Sequence, residues 1–157
     1  MDNLTQEEDI AEEFNSWFSQ VFSKHPPRTD ESLKEINASV AKNCPNYLIV
    51  SDSIISRKIK QLKNRKSNGP DGIPSDALKL GNRAIVPYLR SLFNSTLNNK
   101  SIPNDWTKAI VIPIHKGGLK SSLDNYRPIS LTSQVCKLME KIVADYIRAF
   151  WQENDWL

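Results

Sequence analysis

Apolar residues recur at helical spacing in several stretches of this chain and crowd together without a gap in one. Ile10, Phe14, Trp17, Phe18, Val21 and Phe22 share one face of a first helix, and Thr5 followed by Glu8 reads as a capping-box start. That helix should stop before Pro26-Pro27. From Lys24 to about Val50 no period is sustained, and Pro26, Pro27 and Pro45 among Asn and Ser residues predict a linker or irregular loop. A second helix is expected from about Ser51–Ser53. It turns Ile54, Ile55, Ile59 and Leu62 inward, leaves the bases from Arg57 to Lys66 largely outward, and ends at Asn68-Gly69-Pro70.

Gly69-Pro70-Asp71-Gly72-Ile73-Pro74 sets two Gly and two Pro around one Asp, so its backbone must turn sharply or lie very close to something. Pro74 can open a short helix that Gly81 closes. A longer helix is predicted from about Arg83 to Asn98, with Ile85, Leu89, Leu92, Phe93 and Leu97 as its stripe and Pro87 either in its first turn or displacing its start. After a turn at Ser101–Asp105, Lys108 to His115 is β-branched and apolar on both faces, which predicts a strand covered on both sides. Pro113 requires that strand to be at an edge or to break near its end. Gly117-Gly118 opens a loop, and Tyr126 to Thr132 supplies the returning strand of a hairpin. Thr132 or Ser133 then caps a last helix striped by Val135, Leu138, Met139, Ile142, Val143, Tyr146, Ile147 and Phe150. The expected fold class is α+β, mostly helical, with one small β-hairpin.

With 157 residues and 39% hydrophobic content, the chain can form one compact domain burying roughly 70% of its unfolded surface. Cys44 and Cys136 cannot build a disulfide framework and share no short spacing with His25 or His115, so both read as thiols of a reducing compartment. No apolar run approaches the ~20 residues of a bilayer span, and Asp2, Glu7, Glu8 and Asp9 do not fit a signal peptide. A soluble, intracellular protein with no membrane partner is the expectation. The net charge of +3 is small but unevenly placed. Asp2 to Glu13 carry only acids, whereas Arg57, Lys58, Lys60, Lys63, Arg65 and Lys66 form a run of bases, followed by Lys100, Lys108, Lys116, Lys120, Arg127, Lys137 and Lys141. That gradient suits a polyanion-facing surface, and equally a solvated helix face.

Asp71, Asp76, Asp105, Asp124, Asp145 and Asp155 are scattered singly, with no adjacent pair to seed a two-metal site. Neither a Ser-His-Asp set nor a Gly-x-x-x-x-Gly-Lys-Ser/Thr loop is present. The chemistry on view is that of a binding piece, with no catalytic residue and no metal ligand assigned. Its sharpest feature is the hairpin, which brings Lys116, just before Gly117-Gly118, toward Arg127 at the start of the returning strand. A point charge and a bidentate fork together suit a triphosphate. Two solvated bases flanking an exposed loop is the competing reading.

Lys66-Ser67-Asn68-Gly69-Pro70-Asp71-Gly72-Ile73-Pro74 is followed in order by Leu92-Phe93-Asn94, Ile102-Pro103-Asn104-Asp105-Trp106 and Ala109 through Lys116. Then come Asn125-Tyr126-Arg127-Pro128-Ile129-Ser130-Leu131-Thr132-Ser133, Lys137 and Glu140. Together these segments resemble the N-terminal part of a reverse transcriptase from a non-LTR retrotransposon of the jockey-like or chicken-repeat-like kind. Phe14 to Phe22 is similar to the helix preceding the polymerase in those proteins.

The resemblance implies the fingers portion of a right-hand polymerase. The expected division is a preceding helix over 1–23, a linker or irregular loop over 24–50, and a fingers fragment over 51–157 that stops before the palm aspartate motifs. Lys116 and Arg127 match the family positions that approach the phosphates of the incoming deoxynucleoside triphosphate. Gly69, Pro70, Asp71, Gly72 and Lys137 match positions near template or primer. Gly117 departs from the pattern, since many relatives carry a second Lys there. RNA template, DNA primer, nucleotide and the missing palm and thumb are the implied partners. Mg2+ is implied only for the complete polymerase, so this chain alone is expected not to polymerise. A non-catalytic nucleic-acid-binding module, or an unliganded structural remnant, are the alternatives. A piece of a larger hand should also expose apolar surface, with Trp151, Trp156, Leu157 and part of the 126–132 strand as candidates.

Overall fold

A computed structural model of the chain describes residues 3–22, 48–64 and 67–155. The expected linker falls almost wholly outside the described residues, as do Cys44, Lys66, Trp156 and Leu157. The chain divides into two compact units, one made of residues 1–44 and 111–129 and the other of 45–110 and 130–157.

In the first unit, α1 (Asn3–Phe22) accompanies a hairpin of β1 (Ile110–His115) and β2 (Tyr126–Leu131). The helix starts at Asn3, ahead of the expected cap at Thr5. Its apolar face is only partly used. Phe18 is buried and Phe14 stacks on it, whereas Ile10 is 53% exposed. Phe14 meets the edge of Tyr126 at 4.8 Å, and Tyr126 in turn lies 5.1 Å from the His115 ring.

The hairpin is the only sheet among the described residues. The Lys116 amide donates to the Asn125 carbonyl at 2.8 Å, and with the strand bounds this fixes the register. His115 opposes Tyr126, Ile114 opposes Arg127 and Pro113 opposes Pro128. The expectation that β1 is covered on both sides is corrected. Ile110, Val111, Ile112 and Ile114 are each 37–46% exposed. A two-stranded ribbon has no second sheet and no flanking helix pair to bury it, so a continuous apolar run here signals an open surface. As expected of edge strands, both tolerate proline.

The second unit is helical. α2 (Asp52–Lys60) begins under the Ser51 side chain, which accepts from the Ile54 amide. It ends at Lys60, well before the expected stop at Asn68. α3 (Ser75–Leu80) runs from Pro74 to Gly81 as expected. α4 (Asn82–Asn99) holds Pro87 in its second turn, not its first, where the missing amide leaves only the Arg83 carbonyl without its helical donor. Its buried face is Val86, Leu89, Phe93 and Thr96, with Leu92 turned outward. α5 (Gln134–Glu153) is capped by Ser133, whose Oγ accepts from the Val135 and Cys136 amides at 3.1 and 3.2 Å.

The core gathers Val50, Ile55, Ile59, Leu78, Phe93 and Leu138 with their neighbours, drawing on α2, α3, α4 and α5. Asn94 pins the chain before α2 like a missing strand, accepting from the Val50 amide and donating to its carbonyl, both at 2.9 Å. One further correction concerns Lys58, expected to point outward. Its side chain is only 12% exposed and pairs with Asp145 on α5. Trp151 and Ile129 are both exposed.

Candidate nucleic-acid interface

Ten residues separate β1 from β2, and their closure depends on the Asn-Tyr that precedes Arg127. Asn125 donates to the Leu119 carbonyl at 2.9 Å and Tyr126 Oη to the Lys120 carbonyl at 3.1 Å. Gly118 adopts φ +87° directly over the Asn125 side chain, where a Cβ would approach Nδ2 to 2.7 Å. Gly117, at φ +112°, also occupies backbone that favours glycine. The loop is therefore a folded tip, and Lys116 and Arg127 stand at its base.

Alternation along an antiparallel ribbon then decides where the two cations go. Lys116 shares a face with its opposite number Asn125, and Arg127 lies two residues beyond Asn125 on that same face. Such diagonal neighbours sit about 7–8 Å apart. Both side chains are exposed, and among the described residues neither forms an ion pair. At that separation in water their repulsion is about half a kcal/mol. A single charge-assisted hydrogen bond to an anion contributes about 1.5–3 kcal/mol, so an anion between them outweighs the repulsion several-fold. Ile112, Ile114 and Ile129 continue the same face away from the tip, all exposed.

The Gly-Pro-Asp-Gly segment lies in the other unit, and both readings of its glycines hold, at different positions. Gly69 is buried against the link into α5, where a Cβ would meet Ser133 N and Thr132 C at 2.5 Å. Gly72 instead supplies a φ of +66° in a turn closed by its amide on the Gly69 carbonyl at 3.1 Å. Asp71 accepts from the Ile73 amide at 3.2 Å, so one carboxylate oxygen serves the turn. Gln134 closes the contact by donating Nε2 to the Ser67 carbonyl at 2.8 Å.

Beside this junction is a cavity of about 430 Å³ lined by Leu62, Lys63, Ser67, Gln134, Lys137 and Lys141. Lys137 thus shares one recess with Lys63 and Lys141. The helical spacing of Lys137 and Lys141 announced their shared side, whereas nothing local in the sequence tied Lys63 to them. A separate recess of about 410 Å³, walled by Trp106, Met139, Val143 and Ile147, is apolar and has no base in its lining.

Among the described residues no three His, Cys, Asp or Glu side chains group as metal ligands. No described helix is long and apolar enough to cross a membrane.

No protein-family model matches the chain. Individual relatives do. The chain is 34% identical over 126 residues to a probable RNA-directed DNA polymerase from transposon BS of Drosophila melanogaster, covering 79% of this chain and 14% of that protein. It is 31% identical over 90 residues to the RNA-directed DNA polymerase from mobile element jockey of the same fly, covering 57% of this chain and 10% of the relative. A retrovirus-related Pol polyprotein from type-1 retrotransposable element R1 of Bradysia coprophila is 28% identical over 121 residues, with coverages of 74% and 12%. The chain thus spans only a small part of the length of the curated relatives it matches.

Proposed function

Because this chain is kin to the RNA-directed DNA polymerases of jockey-like and other non-LTR retrotransposons across most of its length, we propose that it is a piece of the fingers of such a polymerase. In this reading Lys116 and Arg127 hold the phosphates of the incoming deoxynucleoside triphosphate. Gly69, Pro70, Asp71, Gly72 and Lys137 lie along the template or primer strand, RNA and DNA respectively. Residues 51–157 belong to the fingers, 1–23 form the helix that precedes them, and palm and thumb are the partners that complete the hand.

The observation that carries the reading is the hairpin register, which sets an exposed ammonium and an exposed guanidinium on one face beside a folded tip. The guanidinium fork would fix the orientation of two phosphate oxygens while the ammonium offsets charge without directional demand. Magnesium belongs to the complete polymerase. The described carboxylates do not converge in a way that fits that ion.

A footprint tests the reading. Deoxynucleoside triphosphate should slow proteolysis at the 117–124 loop of the full chain, and Arg127→Ala should remove that protection while leaving the melting temperature unchanged. If triphosphate gives no protection to the wild-type chain, the assignment of the hairpin fails.

A further inference from the structure

We propose that α1 of one copy docks on the helical unit of a second copy, laying Glu7, Ile10 and Glu13 into a recess of α2 and α5 that Arg57 and Arg148 flank. The first half of α1 is helical without cover. Every residue from Gln6 to Glu13 is exposed, and Glu7, Glu8, Asp9, Glu12 and Glu13 lie there with no base among them. Among the described residues none of these five carboxylates forms an ion pair. Glu8 with Glu12 and Asp9 with Glu13 are like charges one turn apart, an arrangement that weakens a helix. Bases laid along it would turn that repulsion into attraction. Ile10 stands three positions from Glu7 and from Glu13, so all three share one face, and its side chain is exposed. The surface that fits this segment offers cations beside an apolar hollow.

The helical unit has such a hollow. A recess of about 460 Å³ has Leu48, Ile54 and Tyr146 in its wall together with Arg57, Lys58 and Arg148, and Asp145 is the only carboxylate of its lining. Asp145 holds the Lys58 ammonium and accepts from Nη1 of Arg148 at 3.2 Å. That leaves the Arg148 fork with donors to spare. Arg57 forms no ion pair among the described residues. Two guanidiniums suit carboxylates, which they grip bidentately, and the aliphatic wall suits Ile10. The backbone of a nucleic-acid strand would leave that wall unused. Acids and an apolar side chain come together in the segment from Gln6 to Glu13, and every copy carries both halves of the contact. The polymerase reading assigns no contact to either surface.

Sedimentation velocity of the full chain across about a hundredfold range of concentration tests this. The average mass should rise above that of one chain and fall back as potassium chloride is added, because the contact is ionic. Glu7→Lys with Glu13→Lys reverses one surface, and Arg57→Glu with Arg148→Glu reverses the other. Each variant alone sets like charges against each other and should raise the dissociation constant at least about a hundredfold. Mixed in equal amounts, the two variants should associate again, since each α1 then meets a recess of opposite sign. Circular dichroism melts verify folding. A benzophenone side chain at position 10, irradiated in a mixture of heavy-isotope and ordinary copies, should cross-link to the peptides of Ile54 or Tyr146 in the other isotope. If the recess variant does not fold, the α1 variant and the cross-link decide by themselves.

A chain that stays monomeric at every concentration would overturn the proposal. So would wild-type association in either charge-reversed variant, a mixture that fails to associate, or cross-links confined to one isotope, which would seat α1 on its own copy. Capture of a labelled oligouridylate through Arg57 and Arg148 in place of a second copy would overturn it as well and give the recess to a polyanion. The hairpin footprint of Arg127→Ala reads neither surface, so either claim can fail without the other.

Discussion

Pro113 and Pro128 oppose each other across the hairpin, each at a position whose amide would point away from the partner strand. The register set by Lys116 and Asn125 makes 112–129, 114–127 and 116–125 the hydrogen-bonded pairs. The two prolines fall between them. They therefore remove no bond from the ladder, and they strip a donor from the middle of both free edges. That matters because this ribbon carries several exposed isoleucines. Pro113→Thr with Pro128→Thr should shift stability by only the unfolded-chain contribution, about 0.4–1 kcal/mol per site. Light scattering and thioflavin binding should rise sharply relative to the wild type. Equal solubility of the double variant would show that the prolines do not guard the edges.

Gly69 and Gly72 lie three positions apart in the motif and should respond differently to alanine. At Gly69 the new methyl would press on Thr132 and Ser133 backbone atoms that carry the cap of α5. Overpacking of this kind destabilises by about 1–3 kcal/mol, and the loss should come with reduced helicity. At Gly72 there is nothing within 4 Å, and only the positive φ opposes the change, a left-handed residue costing about 1–2 kcal/mol. Thermal melts of Gly69→Ala and Gly72→Ala check the ranking. A larger loss at Gly72 would mean that the 132–133 backbone yields.

How much of this was legible beforehand depends on whether the deciding contact was local. The α5 stripe and its Ser133 cap follow from spacing and from one side chain reaching amides two and three residues on. Lys116 and Arg127 followed from hairpin counting. The exposure of β1 did not, because an apolar run reads the same whether a second layer covers it or not. The inward Lys58 was hidden as well, since its partner is 87 positions away. At the recess, helical spacing joined Lys137 to Lys141, but Lys63 required the packing of α2 on α5. Both options left open for the glycine segment proved correct, one at each glycine, and only the fold could distribute them.

Cys136 should be inert in the folded chain. Burial, then a hydrogen bond to Glu140 at 3.4 Å and that carboxylate's charge, push its thiol up to about 11. Near pH 8 only about a thousandth of such a thiol is thiolate, against roughly a quarter for an ordinary one at 8.5. In a Cys44→Ser background, iodoacetamide should label Cys136 some hundredfold more slowly in the native chain than in denaturant. Equal rates would show that the α5 surface opens freely. Glu140→Gln should speed labelling modestly, because burial remains.

Asp145 links α5 to α2, and its titration should appear in acid stability. The hydrogen bond from Lys58 is the largest cause and, with the charges of Lys58, Arg148 and Arg57, holds its carboxyl below the usual carboxylate range against a desolvation effect second only to that bond. A depressed native value means that the stabilisation is complete above the unfolded value of 3.8 and is lost as pH falls through the native one. Because Asp145 is 47% exposed, solvent screening keeps the contribution small. Lys58 is the more sensitive partner, since its side chain is only 12% exposed and its ammonium would be left without this counter-charge. Asp145→Asn should therefore lower the melting temperature at neutral pH and flatten its fall below the ordinary aspartate value. Lys58→Met should flatten the same limb while losing less stability at neutral pH, because a methionine can fill the site without needing a partner. If Asp145→Asn retains the wild-type acid limb, the Lys58–Asp145 contact does not couple the two helices.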